Sequence, residues 1–182
     1  MLVSDGIDAY HAAPAIGQEK QVGTALLFIP DIMGVWHHAK LLADQYAAHG
    51  YLCLVPDIFL GDPTDFDVNK WIMQGSDGSS PHTPNIIDAV VKEAIFYLNS
   101  KHGVAKLGAV GICLGAKPTL VIGIITDWPS IFAAENDSIF TTEKRHKSEQ
   151  ILFKKDPKVP YQLLSVLKHW PRICSSLQYE HS

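Results

Sequence analysis

A cysteine stands between two glycines in Gly111-Ile-Cys113-Leu-Gly115, directly after a short apolar run. This pattern is typical of a nucleophile elbow, a sharp strand-to-helix turn that exposes its central side chain. The central backbone is strained, and glycines, which lack Cβ, let strand and helix pass close beside it. The helix start favours a thiolate, and the Leu114 N–H can donate to an oxyanion. Cys113 is therefore a candidate nucleophile; the alternative is a buried cysteine between packing glycines.

Two further candidates follow Cys113 in the order nucleophile, acid, histidine. Asp137 comes shortly after the apolar run 130–134, and His169 shortly after the run 160–166. Because ligands of open α/β sheets bind outside the carboxyl ends of the strands, all three side chains are expected at that edge. Their order is similar to that of the α/β-hydrolase triad. The alternatives are that Asp137 caps a loop or helix and that His169 is a surface histidine.

Apolar runs that end in proline or glycine alternate with helical patterns along the chain. The run Thr24–Ile29 shows no polar alternation, which is typical of a strand buried on both faces of a parallel sheet. We therefore predict an α/β fold with a mostly parallel sheet flanked by helices. The predicted strands are 24–29, 51–55, the run that begins at Lys106, 130–134 and 160–166, and the predicted helices are 36–49, 68–73, 84–102 and 142–153.

Two of these helices have a predicted buried face. Thr83 and Pro84 are typical of the N-cap and first position of a helix, and Gly103 is typical of its end. The predicted buried stripe of this helix is Ile87, Val90, Val91, Ala94, Ile95 and Leu98. The predicted stripe of helix 36–49 is Leu41, Leu42, Gln45 and Tyr46.

A long polar stretch, 57–82, contains turn signals around one short helical piece. Loops of this length in compact domains are usually functional and often form a lid. His82, His37 and His38 are expected near the pocket mouth, as rival bases or substrate contacts. Trp36 is a second candidate for substrate contact, and the alternative is that it simply packs.

The composition indicates one globular domain. The chain has 182 residues, of which 47% are apolar and 19% charged, so we expect a single domain over 1–182 with an irregular C-terminal tail at 167–182. The net charge is −4, and lysine and arginine are scattered. Neither nucleic acid nor an anionic membrane is therefore an expected partner.

The chain shows no targeting or membrane signal, and its cysteines are few. No apolar run approaches the ~20 residues that span a bilayer, and the amino terminus lacks the regions of a signal peptide. We therefore expect a cytoplasmic protein. The three cysteines form no CxxC pair, which favours a reducing compartment and gives no zinc spacing. Cys53, in an apolar run, is expected to be an inert core residue.

Five segments, in order along the chain, carry a family resemblance. They are Phe28-Ile-Pro-Asp-Ile-Met-Gly-Val35, Tyr51-Leu-Cys-Leu-Val-Pro-Asp-Ile-Phe-Leu-Gly-Asp-Pro63, Gly75-Ser-Asp-Gly-Ser-Ser-Pro-His82, Leu107-Gly-Ala-Val-Gly-Ile-Cys-Leu-Gly-Ala-Lys117 and Ala133-Ala-Glu-Asn-Asp-Ser-Ile-Phe140. Through them the chain resembles the dienelactone hydrolase family, most closely its fungal members. The resemblance implies an α/β-hydrolase fold and a cysteine-dependent hydrolase of small esters, lactones or thioesters, without cofactor.

The resemblance also implies roles for individual residues. Cys113 matches the nucleophile, Asp137 the triad acid, and Asp31 a carboxylate that contacts the thiol in the resting enzyme. The backbone N–H groups of Ile32 and Leu114 match the oxyanion hole. The chemistry is coherent, because a histidine pairs with the thiol, an acid sets the imidazole tautomer and two amides stabilise the tetrahedral oxyanion.

The chain departs from the family pattern in two places. The family's catalytic histidine lies in His-Gly-Phe, whereas His169 is followed here by Trp170 and Pro171. Between Lys117 and Ile131 the family has further elements for which this chain has only about a dozen residues, which predicts a shortened fold. The rival hypotheses are a truncated, catalytically impaired relative that acts as a binding protein or has no activity, and a redox protein, which lacks a CxxC partner. No histidine and carboxylate cluster shows metal spacing, so no metal is expected.

Overall fold

The computed structural model describes residues 2–4, 7–19, 22–62, 67–115, 130–134, 143, 146–147, 150 and 162–166. The chain divides into two units, Met1–Thr126 and Asp127–Ser182, and each is described by itself. The single domain over 1–182 stays a prediction, and the tail at 167–182 lies outside the described residues. Among the described helices, none combines the length and the apolar character needed to cross a membrane.

A mixed five-stranded sheet forms the first unit, with the strand order β1-β2-β4-β3-β5. Strands β4, β3 and β5 are parallel, whereas β2 is antiparallel to β4 and to β1. The strands are β1 (Leu2–Ser4), β2 (Ile7–Ala12), β3 (Thr24–Ile29), β4 (Leu52–Pro56) and β5 (Lys106–Gly111). Strand β3 has its predicted bounds, β4 begins one residue late, and β1 and β2 were not predicted.

Three α-helices accompany this sheet in the part of the first unit that the structure describes. They are α1 (His37–Ala48), α2 (Val68–Gln74) and α3 (Pro84–His102). Helix α3 confirms its predicted signals: Thr83 is the N-cap, Pro84 is the first residue, and Gly103 follows the helix with a φ of +60°. Five members of its predicted stripe are buried, and Ile95 is half-buried.

The predicted stripe of α1 is correct only in part. Leu42 and Tyr46 are half-buried and pack against the apolar cluster, whereas Leu41 is 43% exposed. The fully buried residues of this helix are three alanines of the same cluster, Ala39, Ala43 and Ala47. Spacing of four residues places these alanines on one face, and their small side chains let the helix lie close to the sheet.

The core lies on both faces of the sheet. Successive residues of a strand point to opposite faces, so Leu27 and Ile29 join one apolar cluster and Phe28 joins the other. The cluster with Leu27 contains the buried stripe of α3, and the cluster with Phe28 contains the alanine face of α1. Helices thus flank the sheet on both sides, and the predicted α/β class is confirmed.

The second unit contains two parallel strands, β6 (Ser130–Ala134) and β7 (Gln162–Val166). Their register runs from Ser130 opposite Gln162 to Ala134 opposite Val166. The predicted strand 130–134 is confirmed, and β7 lies within the predicted 160–166. Between them, the described residues of the predicted helix 142–153, which are 143, 146, 147 and 150, are helical and exposed.

Candidate active site

Cys113 lies at the carboxyl end of β5 with an exposed side chain and a φ of +53°. Residues other than glycine rarely adopt this left-handed conformation, because Cβ crowds the backbone; the only other case in the described part of the chain is Leu60. Such strain costs about 1–3 kcal/mol and persists only where the surrounding structure imposes it. The alternative that Cys113 is a buried packing residue is therefore wrong, and the predicted elbow geometry is present.

Gly115 holds the elbow against the neighbouring strand. It is buried, and a Cβ built on it would overlap the carbonyl oxygen of Ile29 and lie 2.6 Å from that of Pro30. Its N–H donates to the carbonyl of Ile112 at 2.9 Å. Only glycine can occupy this position while the turn rests on the end of β3. The predicted steric role of Gly115 is confirmed.

Substitution of Gly115 by alanine should displace the elbow. We expect the free energy of unfolding to fall by about 1–3 kcal/mol, because an added methyl group must push against backbone atoms rather than a flexible side chain. Hydrolytic activity should fall as well, since Cys113 moves with the turn. Urea unfolding and steady-state kinetics measure the two effects.

Gly23 offers a matched control for this substitution. Its φ is +73°, and nothing lies within 4 Å of a Cβ built on it. Gly23→Ala should lose about 1–2 kcal/mol through its left-handed backbone alone and keep its activity. Equal activity of the Gly115 and Gly23 variants would contradict the role of Gly115 in holding the elbow.

The loop after β3 carries the second predicted oxyanion donor. Oδ1 of Asp31 accepts a hydrogen bond from the Met33 N–H at 2.8 Å, and the carbonyl of Asp31 accepts one from the Gly34 N–H at 3.0 Å. Both bonds close a tight turn around Ile32. Helix α1 has Trp36 as its N-cap and no side-chain capping bond, so Asp31 does not cap this helix.

The two predicted oxyanion donors belong to neighbouring loops. Strands β3 and β5 are adjacent and parallel, with Ile29 opposite Gly111, and the Ile112 N–H donates to the Ile29 carbonyl at 3.2 Å. Ile32 and Leu114 follow these strand ends at the same edge of the sheet. Both side chains pack against the apolar cluster of the α3 face. The roles of Asp31, Ile32 and Leu114 stay predictions.

Several predicted contact residues are exposed around this edge. Trp36 is 59% exposed at the start of α1, so the indole is mostly not packed. His37 and His38 are exposed in the first turn of the same helix. Each could reach a bound molecule without displacing the core, and their roles at the pocket mouth stay predictions.

His82 is buried rather than exposed at a pocket mouth. Its side chain is 4% exposed, and Nε2 lies 2.6 Å from Oδ2 of Asp62. Asp62 also accepts hydrogen bonds from the Ser76 N–H at 2.9 Å and from the Ser76 hydroxyl. Burial raises the pKa of Asp62, but the bonds from Ser76 and His82 outweigh it and hold the pKa below its usual range. Contact of His82 with substrate stays a prediction.

Cys53 contrasts with Cys113. It is fully buried in β4, where burial, and to a lesser extent the charge of Asp44, raises the pKa of its thiol to about 12. A thiol with such a pKa stays protonated at neutral pH, and the thiolate is the nucleophile. The prediction that Cys53 is an inert core residue is confirmed.

The other two members of the predicted triad, Asp137 and His169, lie outside the described residues. The described part of the chain contains no group of three or more histidine, cysteine, aspartate or glutamate side chains that could hold a metal ion. The absence of a metal from this protein stays a prediction.

Comparison with known proteins places these features in a family. The family described as the dienelactone hydrolase family matches residues 7–127. The chain is 34% identical to hydrolase tropI of Talaromyces stipitatus, with 86% of this chain and 72% of that protein covered. It is 29% identical to dienlactone hydrolase 2 of Gibberella moniliformis, with 91% of this chain and 72% of that protein covered.

Solved structures show the same fold at lower identity. TT1662 from Thermus thermophilus superimposes with a TM-score of 0.64 and 13% identity, covering 92% of this chain and 87% of that one. A dienelactone hydrolase-like promiscuous phosphotriesterase, P91, from metagenomic libraries gives a TM-score of 0.60 and 18% identity, covering 89% and 82%. The predicted α/β-hydrolase fold is confirmed.

Proposed function

Because the chain belongs to the dienelactone hydrolase family, we propose that it cleaves a small ester, lactone or thioester through an acyl intermediate on Cys113. The observation that carries this proposal is the left-handed backbone of Cys113, which presents an exposed thiol at the carboxyl edge of the sheet. A strained backbone at an exposed nucleophilic side chain is typical of a reactive centre. The thiol is thus the group that attacks.

The proposed reaction has two stages. In the first, His169 takes the thiol proton of Cys113, Sγ attacks the carbonyl carbon, and the electron pair of the C=O bond moves to oxygen, which accepts hydrogen bonds from the N–H groups of Ile32 and Leu114. The oxyanion then collapses, the bond to the leaving oxygen or sulfur breaks, and His169 gives its proton to the leaving group. In the second stage His169 takes a proton from water, whose oxygen attacks the thioester; the C–S bond then breaks, the acid is released, and His169 returns the proton to Sγ.

Two carboxylates support these steps in the proposal. Asp137 accepts a hydrogen bond from the imidazole of His169 and so sets its tautomer. Asp31 modulates the thiol in the resting enzyme, and it stands on the loop that carries Ile32. Each step uses side chains, amides and water, so the proposal invokes no cofactor. Trp36 and His82 stay candidates for substrate contact.

Brief exposure to p-nitrophenyl acetate tests the proposal directly. We expect an acid-quenched sample to gain the mass of one acetyl group, carried by the peptide that contains Cys113, because deacylation is a separate step. Cys53 should remain unmodified, since its thiol is buried and protonated, and serves as the control within the same spectrum. Absence of both adduct and hydrolysis would instead favour the impaired relative that binds without catalysis.

A further inference from the structure

A hydrogen-bonded pair connects the two ends of the segment 62–82. The carboxylate of Asp62 stands shortly after β4, and His82 stands just before α3, yet their side chains meet at 2.6 Å. The backbone N–H of His82 also donates to the carbonyl of Ile72 at 2.8 Å. We call the Asp62 and His82 pair the clamp, because it joins two side chains that are twenty positions apart in the sequence.

The clamp lies against two buried aromatic rings. The centroid of the His82 imidazole lies 4.5 Å from the centroid of the Trp71 ring and 5.3 Å from that of the Phe59 ring. The centroids of those two aromatic rings are 4.7 Å apart. Nε1 of Trp71 is buried and has no hydrogen-bond partner among the residues that the structure describes. The indole is therefore not oriented by a bond of its own, and its position depends on packing against His82 and Phe59.

One of these rings supports the loop that carries Ile32. A Cβ built on Gly34 would lie 3.4 Å from Cδ2 of Phe59, so the loop after β3 rests directly on this ring. Ile32 and Leu114 both pack against the apolar cluster that contains Phe59 and Trp71. Contacts thus run from the clamp through the aromatic rings to the loop after β3, and the cluster that contains these rings also supports Leu114.

We propose that Asp62 and His82 are positioning residues that hold the Phe59 and Trp71 rings in place and thereby set the N–H groups of Ile32 and Leu114. This inference rests on the proposed function, because it assigns the clamp to the oxyanion hole of the same reaction. Neither residue touches the reacting atoms in this role. Misplacement of reacting groups by about 1 Å can cost ~10²-fold in rate, so a remote support of this kind is measurable.

Two reactions of the same thiol separate positioning from a general loss of structure. Acylation of Cys113 by p-nitrophenyl acetate develops an oxyanion, whereas alkylation by iodoacetamide displaces iodide at a saturated carbon and develops none. We expect Asp62→Ala and His82→Leu, which each remove one partner of the clamp, to slow acylation by about 10- to 10²-fold and to leave alkylation within about twofold of the original protein. His82→Gln, whose amide can still donate to Asp62, should restore most of the acylation rate.

Asp77→Ala is the matched control. Asp77 lies in the same segment, and its exposed carboxylate binds Ser79 and Ser80 rather than the aromatic rings, so both rates should stay unchanged. Unchanged acylation in Asp62→Ala would overturn the inference, and so would an equal fall of both reactions. If His82→Leu does not fold, Asp62→Ala and His82→Gln decide. Failure of the original protein to acylate Cys113 would overturn the proposed function, and this inference with it.

Discussion

Replacement of Cys113 by alanine is expected to lower kcat/KM for ester hydrolysis by roughly 10⁴- to 10⁶-fold. The variant has no atom that can form the acyl intermediate, and a triad that has lost its nucleophile keeps only the contributions of binding and the oxyanion hole. The variant should stay folded, because the Cys113 side chain is exposed and contributes little to core packing. Steady-state kinetics and urea unfolding of the same preparation measure both effects.

Cys53→Ala is the control for this prediction. The Cys53 side chain is fully buried, so its loss should lower the free energy of unfolding by about 1–3 kcal/mol and leave the hydrolytic rate nearly unchanged. The two thiols are thus expected to differ in role: Cys113 governs the hydrolytic rate, and Cys53 contributes to stability. Retention of full hydrolysis by the Cys113 variant would remove the nucleophile assignment.

Replacement of Asp137 by asparagine is expected to lower kcat by about 10⁴-fold with little change in KM. An amide in place of the carboxylate favours the wrong tautomer of the imidazole, so His169 no longer accepts the proton of the nucleophile, whereas the pocket keeps its shape. Initial-rate measurements over a range of ester concentrations separate kcat from KM. A thermal melt of the variant should match that of the original protein.

Glu143→Gln provides a matched control for the loss of one negative charge. Glu143 lies six positions further along, in a helical and exposed part of the second unit, and its substitution should change neither kcat nor the melting temperature. A lower melting temperature with unchanged kcat in the Asp137 variant would instead identify Asp137 as a structural cap.

Local patterns predicted most elements of the first unit. Helix α3 has its predicted first and last residues because Thr83, Pro84 and Gly103 act through backbone preferences that extend over only a few residues. Strand β3 has its predicted bounds because a continuous apolar run between Gly23 and Pro30 leaves few alternatives. Strand β1 was missed because it has only three residues and, among the described strands, pairs only with β2. Strand β2 was missed because its short sequence contains aspartate, alanine and histidine, and its place in the sheet depends on pairing with the distant β4.

The partner of His82 illustrates a different limit. Asp62 stands in a Gly-Asp-Pro turn, where an aspartate ordinarily binds its own backbone, and no spacing rule connects it with a histidine twenty positions later. From the sequence, His82 was expected near loops at the pocket mouth. The tertiary structure buries His82 instead, because Phe59 and Trp71 pack against its ring and the carboxylate of Asp62 accepts a hydrogen bond from it.

The sequence by itself determined the elbow, because the glycines and the cysteine at its centre specify a strained turn through steric rules that act over five residues. The tertiary structure decided which backbone atoms that turn contacts. Gly115 rests on the carbonyl oxygens of Ile29 and Pro30 only because β3 and β5 pair in one register. Contacts between residues that are distant along the chain depend on register and packing, and local spacing encodes neither.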